Sequence, residues 1–347
     1  MKTRLASILA FTMLAASGLG VADAFAQATA LRQIGRSEVP GFEGDFDHFA
    51  YDLKGDRLFL AGEEMGTLEV LDLKTGKHVK TVKVLDEPHA IHFLPESNRL
   101  VVTDSGEGMT RVLDGRTYAV SGTIKLLPGA DVMSYDASTK HVWIVAGGKN
   151  AATKRPDTTV YDVDPATGRI LGQLTFDTDF TEGIAFEQKG HRAFINVAGK
   201  HYVAVVDKKA HKVIATWPIK VGQNNAPIGL DEANKRLFVV TRKPFKLVVL
   251  DTDTGATVAS FDAPARTNEL MFDKANKRIY LAGDDNIAVF RQKDADTYEE
   301  LAKIASDKGA KTGILVPERN RLFVAVAGKA PVKASVITYE VVPAVAR

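Results

Sequence analysis

Seven positions recur along the chain at intervals of 42, 42, 51, 44, 42 and 43 residues: Asp47, His89, Asp131, Glu182, Ala226, Asn268 and Lys311. Six of the seven are polar, and the first four supply Asp, His, Asp and Glu in succession. Carboxylates and an imidazole converging on one point are ligands for a divalent cation such as Ca²⁺ or Mg²⁺. The same groups could polarise a carbonyl while a carboxylate acts as base. Next to them, His48 and Glu269 add another imidazole and another acid. The expected ligand-binding set is Asp47, His48, His89, Asp131, Glu182, Asn268, Glu269 and Lys311, with Arg242 as a carboxylate clamp. Asp47, His89, Asp131 and Glu182 form the expected metal set. Groups of this kind also cap strand ends and order water in a wet channel, so no catalytic role is assigned.

Other motifs carry less. His89-x-x-His92 has the look of a chelating pair, but the two side chains fall on opposite faces of an extended strand. DTDTG (251–255) lacks the glycine placement of a calcium loop and reads as a hairpin turn, as does Asp162-Val163-Asp164-Pro165. His78, His141, His191 and His201 fall in or near hairpins, where surface positions are expected. There is no G-x-S-x-G elbow, P-loop or dinucleotide fingerprint.

The elements that must position the polar ring are repeats. HFAYDLKGDRLFLAG (48–62) returns as AIHFLPESNRLVVTD (90–104), VMSYDASTKHVWIVAGG (132–148) and GIAFEQKGHRAFINVAG (183–199). PIGLDEANKRLFVVTR (227–242), ELMFDKANKRIYLAGD (269–284) and TGILVPERNRLFVAVAG (312–328) complete the set. Each is a short alternating strand, a polar turn and a strand rich in β-branched and aromatic residues. A second hairpin follows, as in TLEVLDLKTGKHVKTVKV (67–84), TTVYDVDPATGRILGQLTF (158–176) and KLVVLDTDTGATVASF (246–261). Units of four strands and ~40–45 residues are the signature of propeller blades.

In the first strand of each unit, large residues such as Phe49 and Tyr51 alternate with small ones such as Ala50, Ser134, Ala185 and Gly229. The large face of one blade can then pack on the small face of the next. The seventh unit lacks an outer strand, and residues 30–48 read like 78–90. The expected fold is thus all-β: a seven-bladed β-propeller of four-stranded antiparallel blades, closed by the N-terminal strand in the last blade. In that fold the seven recurring positions ring one mouth of the central channel. Loops bearing Glu63, Glu64, Asp104, Glu107, Lys149, Lys200, His201, Lys243, Asp284 and Lys329 decorate its rim. Acids gather on the first two blades and bases on most of the others, a polarity suited to a small anionic or zwitterionic ligand.

Segments such as RLVVTD, HVWIVAGG, RLFVVT and VVLDTDTG resemble the YncE-like, YVTN-repeat family of bacterial β-propellers, over essentially the whole chain after residue 26. The resemblance implies the fold and a periplasmic or secreted setting, and some members of the family are described as DNA-binding. It implies no agreed set of catalytic residues. The Trp-Asp and Gly-His marks of WD40 blades are absent.

Lys2 and Arg4, the apolar stretch Leu5 to Val21 and Ala24-Phe25-Ala26 read as a signal peptide over 1–26, with cleavage expected before Gln27. The propeller would occupy 27–347, and no later segment is apolar enough to span a bilayer. The chain has no cysteine, which excludes disulfides, thiolate metal sites and c-type haem attachment. Its formal charge is +2, of which Lys2, Arg4 and Asp23 contribute +1, and no basic block is present. That balance argues against nucleic acid as a partner. The expectation is an exported monomeric binding protein for a small molecule or a periplasmic protein. A divalent-metal hydrolase or lyase similar to lactonase-type propellers is the alternative.

Overall fold

The computed structural model describes residues 30–344 except 107 and 108. The expected signal peptide and the rim residue Glu107 lie outside the described residues. Within them, 28 strands form seven four-stranded antiparallel sheets. The first blade comprises β2 (Phe49–Asp52), β3 (Arg57–Gly62), β4 (Thr67–Asp72) and β5 (His78–Val82). The second runs from β6 (Pro88–Leu94) to β9 (Val120–Lys125), and the third from β10 (Met133–Asp136) to β13 (Arg169–Phe176). The fourth runs from β14 (Ile184–Phe186) to β17 (Lys212–Pro218), and the fifth from β18 (Ile228–Asp231) to β21 (Thr257–Asp262). The sixth runs from β22 (Glu269–Asp273) to β25 (Tyr298–Ala305). The last contains β26 (Thr312–Val316), β27 (Arg321–Val326) and β28 (Ser335–Val341). Its fourth strand is β1 (Leu31–Glu38), paired antiparallel with β28 from Leu31 opposite Val341 to Glu38 opposite Ser335, with a bulge between Gln33 and Gly35. Ring closure by the N-terminal strand thus stands as read from the sequence, and it covers an edge that would otherwise be open.

Apolar clusters form where blades meet. Ala50, Phe59, Leu68 and Val70 of the first blade pack on Ile91, Phe93, Leu100 and Val102 of the second. The alternation of large and small first-strand residues is a steric requirement at Gly229, where a Cβ would lie 2.5 Å from Cδ2 of Leu270 in the next blade. In five of the seven blades the arginine that opens the second strand adds a polar rivet; Arg321 of the last blade bonds only its own turn, at Arg319 O and Asn320 O. Arg99 donates to Ala166 O at 2.8 Å, Arg192 to Thr252 O at 2.5 Å, Arg236 to Ala295 O at 3.1 Å and Arg278 to Val342 O at 2.6 Å. Arg57 makes the equivalent bond to Gly115 O. Every acceptor is a backbone carbonyl of the following blade. The Arg-apolar pair that marks the repeat in sequence therefore carries a blade-to-blade bond.

The third blade has His141 at this position. Its junction with the fourth is held instead by buried Lys208, whose Nζ lies 3.0 Å from Asp136 and 2.8 Å from Ser138 Oγ. Hairpin turns follow one scheme: Asp72, Asp114, Asp164 and Asp251 each accept backbone N–H bonds from two or three residues on. DTDTG is a turn of this type, with Thr254 donating through both N–H and Oγ1 to Asp251.

Three readings need correction, those of Asp162, His141 and His78. Asp162 is not a turn residue: it lies within β12 (Thr158–Asp164) and receives His211 at 2.8 Å and His141 at 3.0 Å. His78 is likewise drawn inward, 2.8 Å from the buried Glu69. His78 opens the outer strand β5, His211 lies in the hairpin before β17 and His141 opens the second strand β11 (His141–Gly147), and each meets a carboxylate of a third strand, which an extended-strand pattern does not reveal. His191 is exposed as expected.

Candidate functional site

The channel mouth is assembled by backbone bonds between innermost strands. His48 N–H donates to His89 O at 3.1 Å, Gly183 to Ala226 O at 3.2 Å and Asn268 to Lys311 O at 3.1 Å. Within the first blade, Asp47 N–H bonds Ala61 O at 2.9 Å and Ala61 N–H bonds His48 O at 3.1 Å. The recurring positions are therefore pinned by main chain, and their side chains meet over the axis.

Asp47 is the hub. Its Oδ2 lies 2.9 Å from His89 Nδ1, its Oδ1 accepts from Asn268 Nδ2 at 3.0 Å, and His48 Nε2 lies 3.5 Å from that same Oδ1. His48 Nδ1 pairs with Glu269 across 221 residues of sequence. His89 Nδ1 also approaches Asp131 Oδ1 at 3.6 Å, and Asn150 donates to the other oxygen of Asp131. On the far side Asn268 accepts from Arg242 Nη2 at 2.8 Å, and Arg242 Nη1 lies 3.3 Å from Glu182. Eight of the nine residues expected at the mouth thus form one connected chain of contacts. The ninth, Lys311, sits 3.5 Å from Asp45 and 3.7 Å from Glu63.

Charge follows geometry. Burial alone would raise the Asp47 carboxyl, but His48, His89 and Lys311 hold it well below the ordinary carboxylate value. Burial works against the two imidazolium ions as well. For His48 it is outweighed by Asp47, Glu269 and Asp131, which raise it to about 10; for His89 by Asp131, Asp47 and Glu63, which raise it to about 9. Glu63 is buried among acids and pushed up to about 7, despite Lys311 and His89. Glu182 is raised by burial, with Arg242 opposing.

The metal set read from the sequence does not close into a single cage. Glu182 is committed to Arg242 and Asp131 to Asn150. Among the described residues, the donor atoms that lie mutually within 4.8 Å belong to Asp47, Glu63 and His89. Glu63 opens the 3₁₀ turn Glu63–Met65 after β3, so the sequence placed it on the rim rather than in the site. Asp45, Asn150 and Phe180 gave no signal of their own. Asp45 gathers Arg266 at 2.9 Å, Lys329 at 3.2 Å and Lys311.

Arg242, expected as the free clamp, is already occupied by Glu182 and Asn268. Lys149, also on the rim, has an aromatic ring rather than a carboxylate beside its ammonium. Its Nζ stands 3.2 Å from the centre of the Phe180 ring, over which Arg242 also lies at 5.9 Å. Burial lowers the Lys149 amine; Glu182 resists this and Arg242 adds to it.

Below the polar ring the channel opens into a cavity of about 150 Å³ lined by His48, Ser134, Glu182, Pro227, Asn268 and Glu269 among others. A second cavity, of about 520 Å³, has Tyr51, Phe93, His92 and Tyr135 in its wall together with the charged Asp52, Lys54 and Glu96. His92 stacks on Tyr135 at 4.2 Å, and burial lowers its imidazole to about 4. His89 and His92 do point to different places, as strand alternation requires.

Seven four-stranded blades around a polar channel define a β-propeller. No family model matches the chain. It is 24% identical over 257 residues to "Uncharacterized protein YncE" from Salmonella typhi, and equally to that from Salmonella typhimurium. The match covers 70% of this chain and spans 66% of the length of those relatives. Among solved structures, a chain of "Crystal Structure of Mitotic Checkpoint Complex" superposes with a TM-score of 0.72 at 13% identity, covering 98% of this chain and 99% of that one. At that identity the likeness concerns the fold alone. The chain is a seven-bladed β-propeller, and the sequence match supports a YncE-like one. Among the described residues no helix is long and apolar enough to cross a membrane.

Proposed function

We propose that this propeller is an exported binding protein that takes a small anionic molecule, carboxylate-bearing or zwitterionic, at its polar channel mouth. The observation that carries this reading is Lys149. It is an exposed residue whose ammonium makes no ion pair among the described residues and is set on the face of Phe180, at the rim of a preformed ring of charges. A cation left unpaired at a rigid, concave, multi-loop surface is a ready partner for an incoming anion. Export rests on the sequence of residues 1–26.

A thermal-shift screen of small carboxylates and amino acids tests the reading. A bound ligand should raise the melting temperature of the wild type in a concentration-dependent way, and Lys149→Met should abolish that rise. A ligand that stabilises both proteins equally would place binding elsewhere. The alternative, hydrolysis or elimination at a divalent ion, requires a cation site at the same mouth.

A further inference from the structure

We propose that Asp47, Glu63 and His89 form a divalent-cation site at the junction of the first and second blades. Two carboxylates and one imidazole supply donor atoms that all lie within 4.8 Å of one another. Ligands at 2.0–2.3 Å from a shared ion are separated by roughly 3–4.5 Å, so small side-chain adjustments bring these donors to coordination distance.

An observation independent of that spacing points to an absent partner. The imidazole of His89 is nine-tenths buried, and its Nε2 has no hydrogen-bond partner, whereas buried polar atoms are ordinarily satisfied.

The frame is rigid where it must be. Main-chain bonds fix Asp47 to Ala61, immediately before the turn that carries Glu63, and fix His48 to His89. Asn268 orients the Asp47 carboxylate from outside, as outer-shell donors do at metal centres. Lys311 now lies 3.7 Å from Glu63 but also 3.5 Å from Asp45, so it retains a carboxylate when an ion takes Glu63. The imidazole must give up its proton to bind, and that proton passes to solvent. Mixed imidazole and carboxylate donors favour Zn²⁺ or Mn²⁺ over Ca²⁺ or Mg²⁺, which prefer oxygen alone. Three protein ligands leave positions open for water or an anion. The site shares the mouth with the binding reading above and does not depend on it, because Lys149 takes no part.

The test is calorimetric titration of the chelator-treated full protein with ZnCl₂ and with MnCl₂. The wild type should bind one equivalent of at least one of the two ions. Glu63→Gln and Asp47→Asn should each weaken that binding by ~10-fold or more, since losing even an outer-shell partner costs ~10–100-fold. Lys149→Met should bind the ion as the wild type does, whatever its behaviour toward carboxylates. A wild type with no saturable one-equivalent phase would overturn the proposal. So would folded Glu63→Gln and Asp47→Asn proteins that titrate like the wild type.

Discussion

Replacing His89 by Gln removes a buried charge and should change how stability depends on pH. In the folded protein Asp131, Asp47 and Glu63 overcome burial and hold this imidazole at about 9, against an ordinary 6.5. The gap, at about 1.4 kcal/mol per pH unit, corresponds to about 3 kcal/mol. This is a ceiling, because Asp47 and Glu63 readjust their own protonation when the imidazole is gone. The folded value is the raised one, so the contribution is complete below 6.5. It declines as the pH climbs through the interval and is gone above about 9. Urea unfolding of wild type and His89→Gln, with chelator present so that only protons compete, should therefore show a stability difference that shrinks on going from about pH 6 to about pH 9.5. The shrinkage should approach 3 kcal/mol. Nitrogen-15 NMR of the ring should show the same group titrating near 9. A difference that stays constant across this interval, or a ring that titrates near 6.5, would refute the charge network described for the mouth.

Two further outcomes concern the frame. Lys208→Met strands the fully buried Asp136 without its cation and should cost about 3–5 kcal/mol in urea unfolding, the range for breaking a buried pair from one side; a loss below about 1 kcal/mol would mean that Ser138 alone satisfies the carboxylate. Gly229→Val drives a side chain into Leu270 of the next blade and should lower stability by about 1–3 kcal/mol, and a variant as stable as the wild type would show that the blades can part at no cost.

The fold was legible because the sequence states it seven times. Alternation in Phe49, Ala50 and Tyr51, repeated at intervals near 42 residues, specifies strand, face and module together, and the unpaired end of the last module identifies Leu31–Glu38 as its complement. The ring of polar positions was legible for the same reason: rotational symmetry turns equal spacing in sequence into proximity in space. Pairings within the ring were not. Whether Arg242 faces outward or spends its guanidinium on Glu182 and Asn268 depends on rotamers and on loops that do not repeat. The same holds for Asn150, which enters from the insertion near 149–157, and for Glu63, placed by a turn rather than by a strand. His78 and His141 were misjudged because their carboxylate partners, Glu69 and Asp162, sit one strand away, where local pattern carries no information.

The pairing of His48 with Glu269 joins the first completed module to the sixth. During synthesis the first strands emerge long before their partner in this contact exists, and a chain halted anywhere before residue 269 can build neat blades yet cannot assemble the centre. Competence is therefore acquired late, in one step, when the circle shuts. A nicked or truncated molecule should keep its β-sheet spectrum while losing whatever the mouth does.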